Sequence, residues 1–171
     1  CVKAEEWFGK NEKNENETTW ELYKRYDPKL ERRMNLGHFY TLLPKEWKNL
    51  YRYVCVTCDD CEEAEIWFNN ESNGVKENET LWELYKRYDL ALERKMHLSA
   101  FYTLLPLGWR GVYEYIDATS DDCLEAEEWF RKNSIQSGET MWELYKRYDP
   151  ELERKMHLGS FSSLLTNEWR A

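Results

Sequence analysis

Lysine and arginine recur in this chain at a fixed spacing that could bind anions. The pairs Lys24-Arg25, Lys86-Arg87 and Lys146-Arg147 are each followed eight residues later by a second pair, Arg32-Arg33, Arg94-Lys95 and Arg154-Lys155. Clustered cations of this kind can neutralise phosphates or carboxylates. One reading is therefore a basic stripe, presented once per repeat, that binds a partner. The other is a solvated helix face paired with Glu5-Glu6 or Glu21 of the same or the next repeat.

Cysteine is the second candidate. Cys55, Cys58 and Cys61 fall at a Cys-x-x-Cys-x-x-Cys spacing that looks like half of a zinc site. The counterparts in the next linker are Asp117, Ser120 and Cys123, with no second Cys/His pair nearby, so no bound zinc is expected. Cys1, Cys61 and Cys123 are equivalent positions, expected just ahead of a helix as small packing residues. His97 and His157 stand where Asn35 does, as caps or surface residues, and His38 lies elsewhere. No Ser/His/Asp grouping recurs, and the seven glycines form no phosphate-binding loop. Neither an enzyme, a cofactor nor a small-molecule substrate is expected.

These residues ride on one stretch that occurs three times, at 17–39, 79–101 and 139–161. Self-similarity of this kind marks an array of small units. The repeats run over 1–60, 61–122 and 123–171, the last truncated before its closing segment. The chain reads as an excised fragment, and nothing at Cys1 resembles a signal peptide. Each repeat opens with a helix, expected to start at Asp60 with Glu63, or at Asp122 with Glu125. Ala64, Trp67 and Phe68 give it an apolar face, and Glu5, Glu65 and Glu127 fall on its wet side. After a polar loop of variable length, Thr18/Glu21, Thr80/Glu83 and Thr140/Glu143 make capping boxes for a second helix. Thr19, Leu22, Tyr23 and Tyr26 form its buried arc; Leu81 and Met141 take the place of Thr19. Trp20, Trp82 and Trp142 are expected in equivalent buried sites.

Asp27-Pro28 reads as an N-cap and first helical position, starting a short helical turn that carries Leu30 and Met34. A third helix follows from about Leu36, with Leu36, Phe39, Leu42 and Leu43 on one face and Pro44 or Pro106 ending it. Between repeats, Tyr51, Tyr53 and Cys55, and then Tyr113 and Tyr115, alternate with other residues as in short strands.

Helix, loop, helix ending Leu-Tyr-x-x-Tyr, turn, helix with Phe-x-x-Leu-Leu, then an aromatic strand: this order resembles the RFX-type and primase-associated winged helices. Trp82, Leu84, Tyr85, Tyr88, Leu98, Phe101, Leu104, Leu105, Tyr113 and Tyr115 carry the resemblance. It implies a DNA-reading third helix. Here that helix has no Lys or Arg to meet phosphates or bases. The fold expected is mainly α: three tandem helix-turn-helix or degenerate winged-helix repeats with short linker β-strands.

The net charge of −9 is uneven. Basic and acidic residues balance at 11 each in 1–60, but stand at 6 against 13 in 61–122 and 7 against 9 in 123–171. Such an acidic chain is repelled by nucleic acid and anionic membranes unless a local patch dominates. No apolar run is long enough to span a membrane. The sequons at Asn16, Asn70 and Asn78 arise easily by chance in Asn-rich loops, so an intracellular setting is favoured. The expected function is a non-catalytic repeat module that engages a protein partner or itself, with nucleic-acid binding through the Lys-Arg stripes as the alternative.

Overall fold

The structure, a computed structural model, describes residues 2–54 and 56–170. It is mainly helical, and similar aromatic clusters recur. The helices are α1 (Val2–Lys10), α2 (Thr19–Tyr26), α3 (Leu36–Leu42), α4 (Lys45–Lys48), α5 (Cys58–Asn69), α6 (Leu81–Tyr88), α7 (Leu98–Leu104), α8 (Leu107–Arg110), α9 (Ser120–Lys132), α10 (Met141–Tyr148), α11 (Leu158–Leu164) and α12 (Asn167–Arg170).

Three capping boxes fix α2, α6 and α10. The Thr18, Thr80 and Thr140 hydroxyls accept from Glu21, Glu83 and Glu143 N–H, and each Glu side chain accepts from its Thr N–H. The same device opens α5 and α9, but three residues earlier than expected. Thr57 and Thr119 are the N-caps, with Asp60 and Asp122 closing the boxes. Cys61 and Cys123 consequently sit inside the helix and are buried, rather than preceding it. Cys1 lies outside the described residues.

The stretch after α2 is not a helical restart. Asp27 is the C-cap of α2, and its carboxylate gathers the turn that follows. It accepts from the Tyr23 hydroxyl at 3.1 Å and from the N–H groups of Arg32 at 2.9 Å and Glu31 at 3.3 Å. Tyr23 Oη in turn accepts from Met34 N–H at 3.0 Å. The network recurs around Asp89 with Tyr85 and around Asp149 with Tyr145. It holds Leu30 and Arg33 at φ of 50° and 41°, and their counterparts in both later repeats are left-handed too. Such a conformation costs roughly 1 kcal/mol or more per non-glycine residue, so the turn needs the buried carboxylate to hold it.

The linker segments form no strands among the described residues. The alternation breaks phase. Tyr51, Val54 and Val56 are buried while Tyr53 is exposed, and Tyr113, Ile116 and Ala118 are buried while Tyr115 is exposed. The last buried residue of each linker binds a helix instead of a second strand. Val56 and Ala118 carbonyls accept from Leu36 and Leu98 N–H at 3.1 and 2.9 Å. Cys55 lies outside the described residues.

Short helices α4, α8 and α12 carry Trp47, Trp109 and Trp169. In the first repeat Phe8 stacks on Tyr26 at 6.0 Å and meets Trp47 edge-on at 5.1 Å, above Phe39. The third repeat repeats this, with Phe130 at 6.2 Å from Tyr148 and 4.9 Å from Trp169. Such ring pairs bury large areas and give a short repeat its core.

By contacts the chain divides into two compact units, residues 1–75 with 103–112, and residues 76–102 with 113–171. The first unit holds α1–α5, α8 and the Phe68–Trp109 pair at 5.1 Å. The second holds α6, most of α7 and α9–α12, with Tyr85 and Tyr88 against Phe101 at 5.0 and 5.2 Å.

Candidate functional site

The basic residues singled out by the sequence are mostly tied to the chain's own carboxylates and rings. Arg25 makes a two-pronged pair with Glu17, at 2.5 and 2.9 Å. Arg87 does the same with Glu79 and Arg147 with Glu139. These glutamates are almost wholly buried. Two of them accept a further hydrogen bond, Glu17 from the Tyr51 hydroxyl at 2.7 Å and Glu79 from that of Tyr113 at 3.1 Å. Sequence reasoning missed this site, although Glu ahead of each Thr cap with Arg eight residues on was its signal. Hydrogen bonding from Arg147 holds the Glu139 carboxyl below its usual range, ahead of an opposing burial effect.

Arg32, Arg94 and Arg154 lie over the rings of Tyr26, Tyr88 and Tyr148 at 4.9, 5.0 and 4.9 Å. Arg32 also donates to the Tyr26 hydroxyl, and Arg154 pairs with Glu125 at 2.5 Å. Arg33 reaches Asp59 and Glu62 on α5. Lys95 and Lys155, at the equivalent place, are exposed.

Lys24 and Lys86 build a junction between successive repeats. Lys24 Nζ donates to Glu65 Oε1 at 2.6 Å, and Trp20 Nε1 donates to Glu65 Oε2 at 3.1 Å. One repeat later Lys86 and Trp82 hold Glu127 at 2.6 and 3.2 Å. Glu65 and Glu127 are thus not on a wet face but half-buried against the preceding repeat. Burial pushes the Glu65 carboxyl up, but Lys24 and Trp20 more than offset this and leave it lowered.

Behind each clamp lies a gap. In the first unit Trp20, Val54, Cys61, Glu65, Phe68 and Leu105 line a cavity of about 250 Å³. The equivalent place in the second unit, lined by Trp82, Ile116, Cys123, Glu127 and Leu165, leaves about 40 Å³. Ile116 is larger than its counterpart Val54. Burial pushes the Cys123 thiol up to about 12 and raises that of Cys61 as well. Neither is held as a thiolate, the form that attacks or ligates.

The third repeat departs from the expected burial. Leu81 and Trp82 are 1% and 7% exposed, whereas Met141 and Trp142 are 36% and 44% exposed. Among the described residues Trp142 and Lys146 make no hydrogen bond to a carboxylate; the Lys146 charge acts on Glu143 of its own helix. The cause is local: α2 is covered by α5 and α6 by α9, while no described helix covers this face of α10.

Histidine serves as a cap, as the sequence suggested. His157 Nδ1 accepts from Gly159 N–H at 3.1 Å and His97 Nδ1 from Ser99 N–H at 3.3 Å. Among the described residues no group of three His, Cys, Asp or Glu is placed to hold a metal ion. No described helix is long and apolar enough to cross a membrane. Compared with known proteins, the chain matches no family model, no curated protein and no solved structure.

Proposed function

We propose that this chain is a non-catalytic tandem-repeat module that binds protein. The observation that carries this reading is the pairing of the recurrent cations with the chain's own glutamates, Arg25 with Glu17, Arg87 with Glu79 and Arg147 with Glu139.

The paired state of the Lys-Arg stripes supports a protein partner over a polyanion. A phosphate backbone would have to displace Glu17, Glu65, Glu79, Glu127 and Glu139 from their cations. The third helices, α3, α7 and α11, contain no Lys or Arg, which weighs against DNA reading of the winged-helix kind. The buried, raised thiols and the paired carboxylates support a role without catalysis.

Titration with duplex and single-stranded oligonucleotides tests the reading. Weak or no binding near physiological salt is expected. Submicromolar affinity that falls steeply with salt, and that Arg87→Glu with Arg94→Glu abolishes while the helical signal persists, would replace it with the nucleic-acid reading.

A further inference from the structure

We infer that the cavity behind the Trp20–Glu65 clamp binds an uncharged, apolar small molecule the size of a fused bicyclic ring, independently of the protein-binding reading. The cavities at the two equivalent junctions differ, at about 250 Å³ in the first unit and 40 Å³ in the second. A cause is visible at the rim. In the second unit Asn167 Nδ2 donates to the Asn78 carbonyl at 2.9 Å and ties α12 to the loop ahead of α6. The counterparts in the first unit are Leu107 and Asn16. Leucine cannot donate, so this latch does not form, and Leu107 stays 41% exposed where it lines the cavity. Val54 in place of Ile116 leaves the floor a methylene shorter.

The floor is apolar and buried: Val54, Cys61, Phe68 and Leu105 are each 8% exposed or less. Trp20 forms one wall, and Asn16, Glu21 and Asn69 at the rim are exposed. The cavity thus runs from an apolar floor out to solvent. Cys61 adds a second observation. Cys58 donates to the Met34 carbonyl at 3.2 Å, whereas Cys61 Sγ makes no hydrogen bond among the described residues. Its residue is 3% exposed and lines the cavity. A thiol is a weak donor that packs as a small hydrophobe, and a ring beside it satisfies both properties.

Size and charge set the ligand class. A cavity of about 150 Å³ holds benzene, so about 250 Å³ accepts a second fused ring. The charged lining residues are Glu21 and Glu65, both acidic, with Glu65 paired to Lys24. A carboxylate or phosphate ligand is repelled there. A cation would lose its water against a floor that offers no carboxylate.

Indole titrated into the intact chain, followed by methyl NMR, tests this. The Val54 and Leu105 signals should shift saturably with a Kd of about 1 mM or below, while those of Ile116 and Leu165 in the latched copy stay still. Indole-3-acetate, the same rings carrying a carboxylate, should bind about tenfold more weakly or worse. Val54→Met fills the floor and Leu107→Asn supplies the latch. Each should weaken indole binding about tenfold or more with the helical circular dichroism signal unchanged. No saturable shift at Val54 and Leu105, equal shifts at both cavities, or an indole affinity that both substitutions leave unchanged would overturn the inference. Indole-3-acetate binding as tightly as indole would overturn the ligand class.

Discussion

Tyr23, Tyr85 and Tyr145 each bind an aspartate four residues on, and this pair sets the backbone of the turn after the second helix. In Tyr85→Phe the buried Asp89 carboxylate loses one donor and Met96 N–H loses its acceptor. A buried polar group left unsatisfied costs about 1–3 kcal/mol. Urea unfolding of this variant should show a loss of that size at unchanged slope; an unchanged midpoint would mean that the turn holds itself. Carboxylates also set the acid limit of the fold. Glu65, Glu139 and Asp149 lie below their usual range in the folded chain; for Asp149, burial acts upward and is outweighed by bonds from Arg154 N–H, the Tyr145 hydroxyl and Glu153 N–H. A group lowered on folding contributes stability above its unfolded pKa and loses it as pH falls through the folded one. The melting temperature should therefore drop as pH falls below about 5, and a level profile there would contradict the pairing. The aspartate itself was visible in the sequence. Its partners, N–H groups four and five residues on, were not, because Asp-Pro after a helix reads equally well as an N-cap.

At the scale of elements, the second helices and their capping boxes were legible because Thr-x-x-Glu ahead of an apolar arc is a local signal. The first helices were legible as to type but not start, since Thr57 and Asp60 make the same box as the Asp-x-x-Glu chosen three residues later. The linkers misled for a physical reason. Alternating aromatics suit a strand only if another backbone pairs with it, and here Val56 and Ala118 serve helix N-termini. The junctions were not legible at all: the sequence places Lys24, Trp20 and Glu65 on helices but does not say which helix covers which. The two junctions differ in filling, and that difference is testable. Val54→Ile gives the first junction the residue found in the second, beside a cavity of about 250 Å³. Cavity filling of this kind should raise stability by about 0.5–2 kcal/mol in urea unfolding. A loss of about 1 kcal/mol or more would mean that the gap is too shallow to accept the methylene.

Over the whole molecule, one contact made of Trp, Lys and Glu is closed at two repeats and open at the third. That contact takes up Lys24 and Lys86 of the recurrent cations. Charge counting alone pointed the same way but could not separate a basic stripe from a paired one. Proton exchange of the indole N–H groups, followed by NMR with each signal assigned by Trp→Phe substitution, measures the pattern directly. In dilute protein the Trp20 and Trp82 indoles, bonded to Glu65 and Glu127, should be protected while that of Trp142 exchanges freely. Equal exchange at all three, or a protected Trp142 beside open Trp20 and Trp82, would contradict the account.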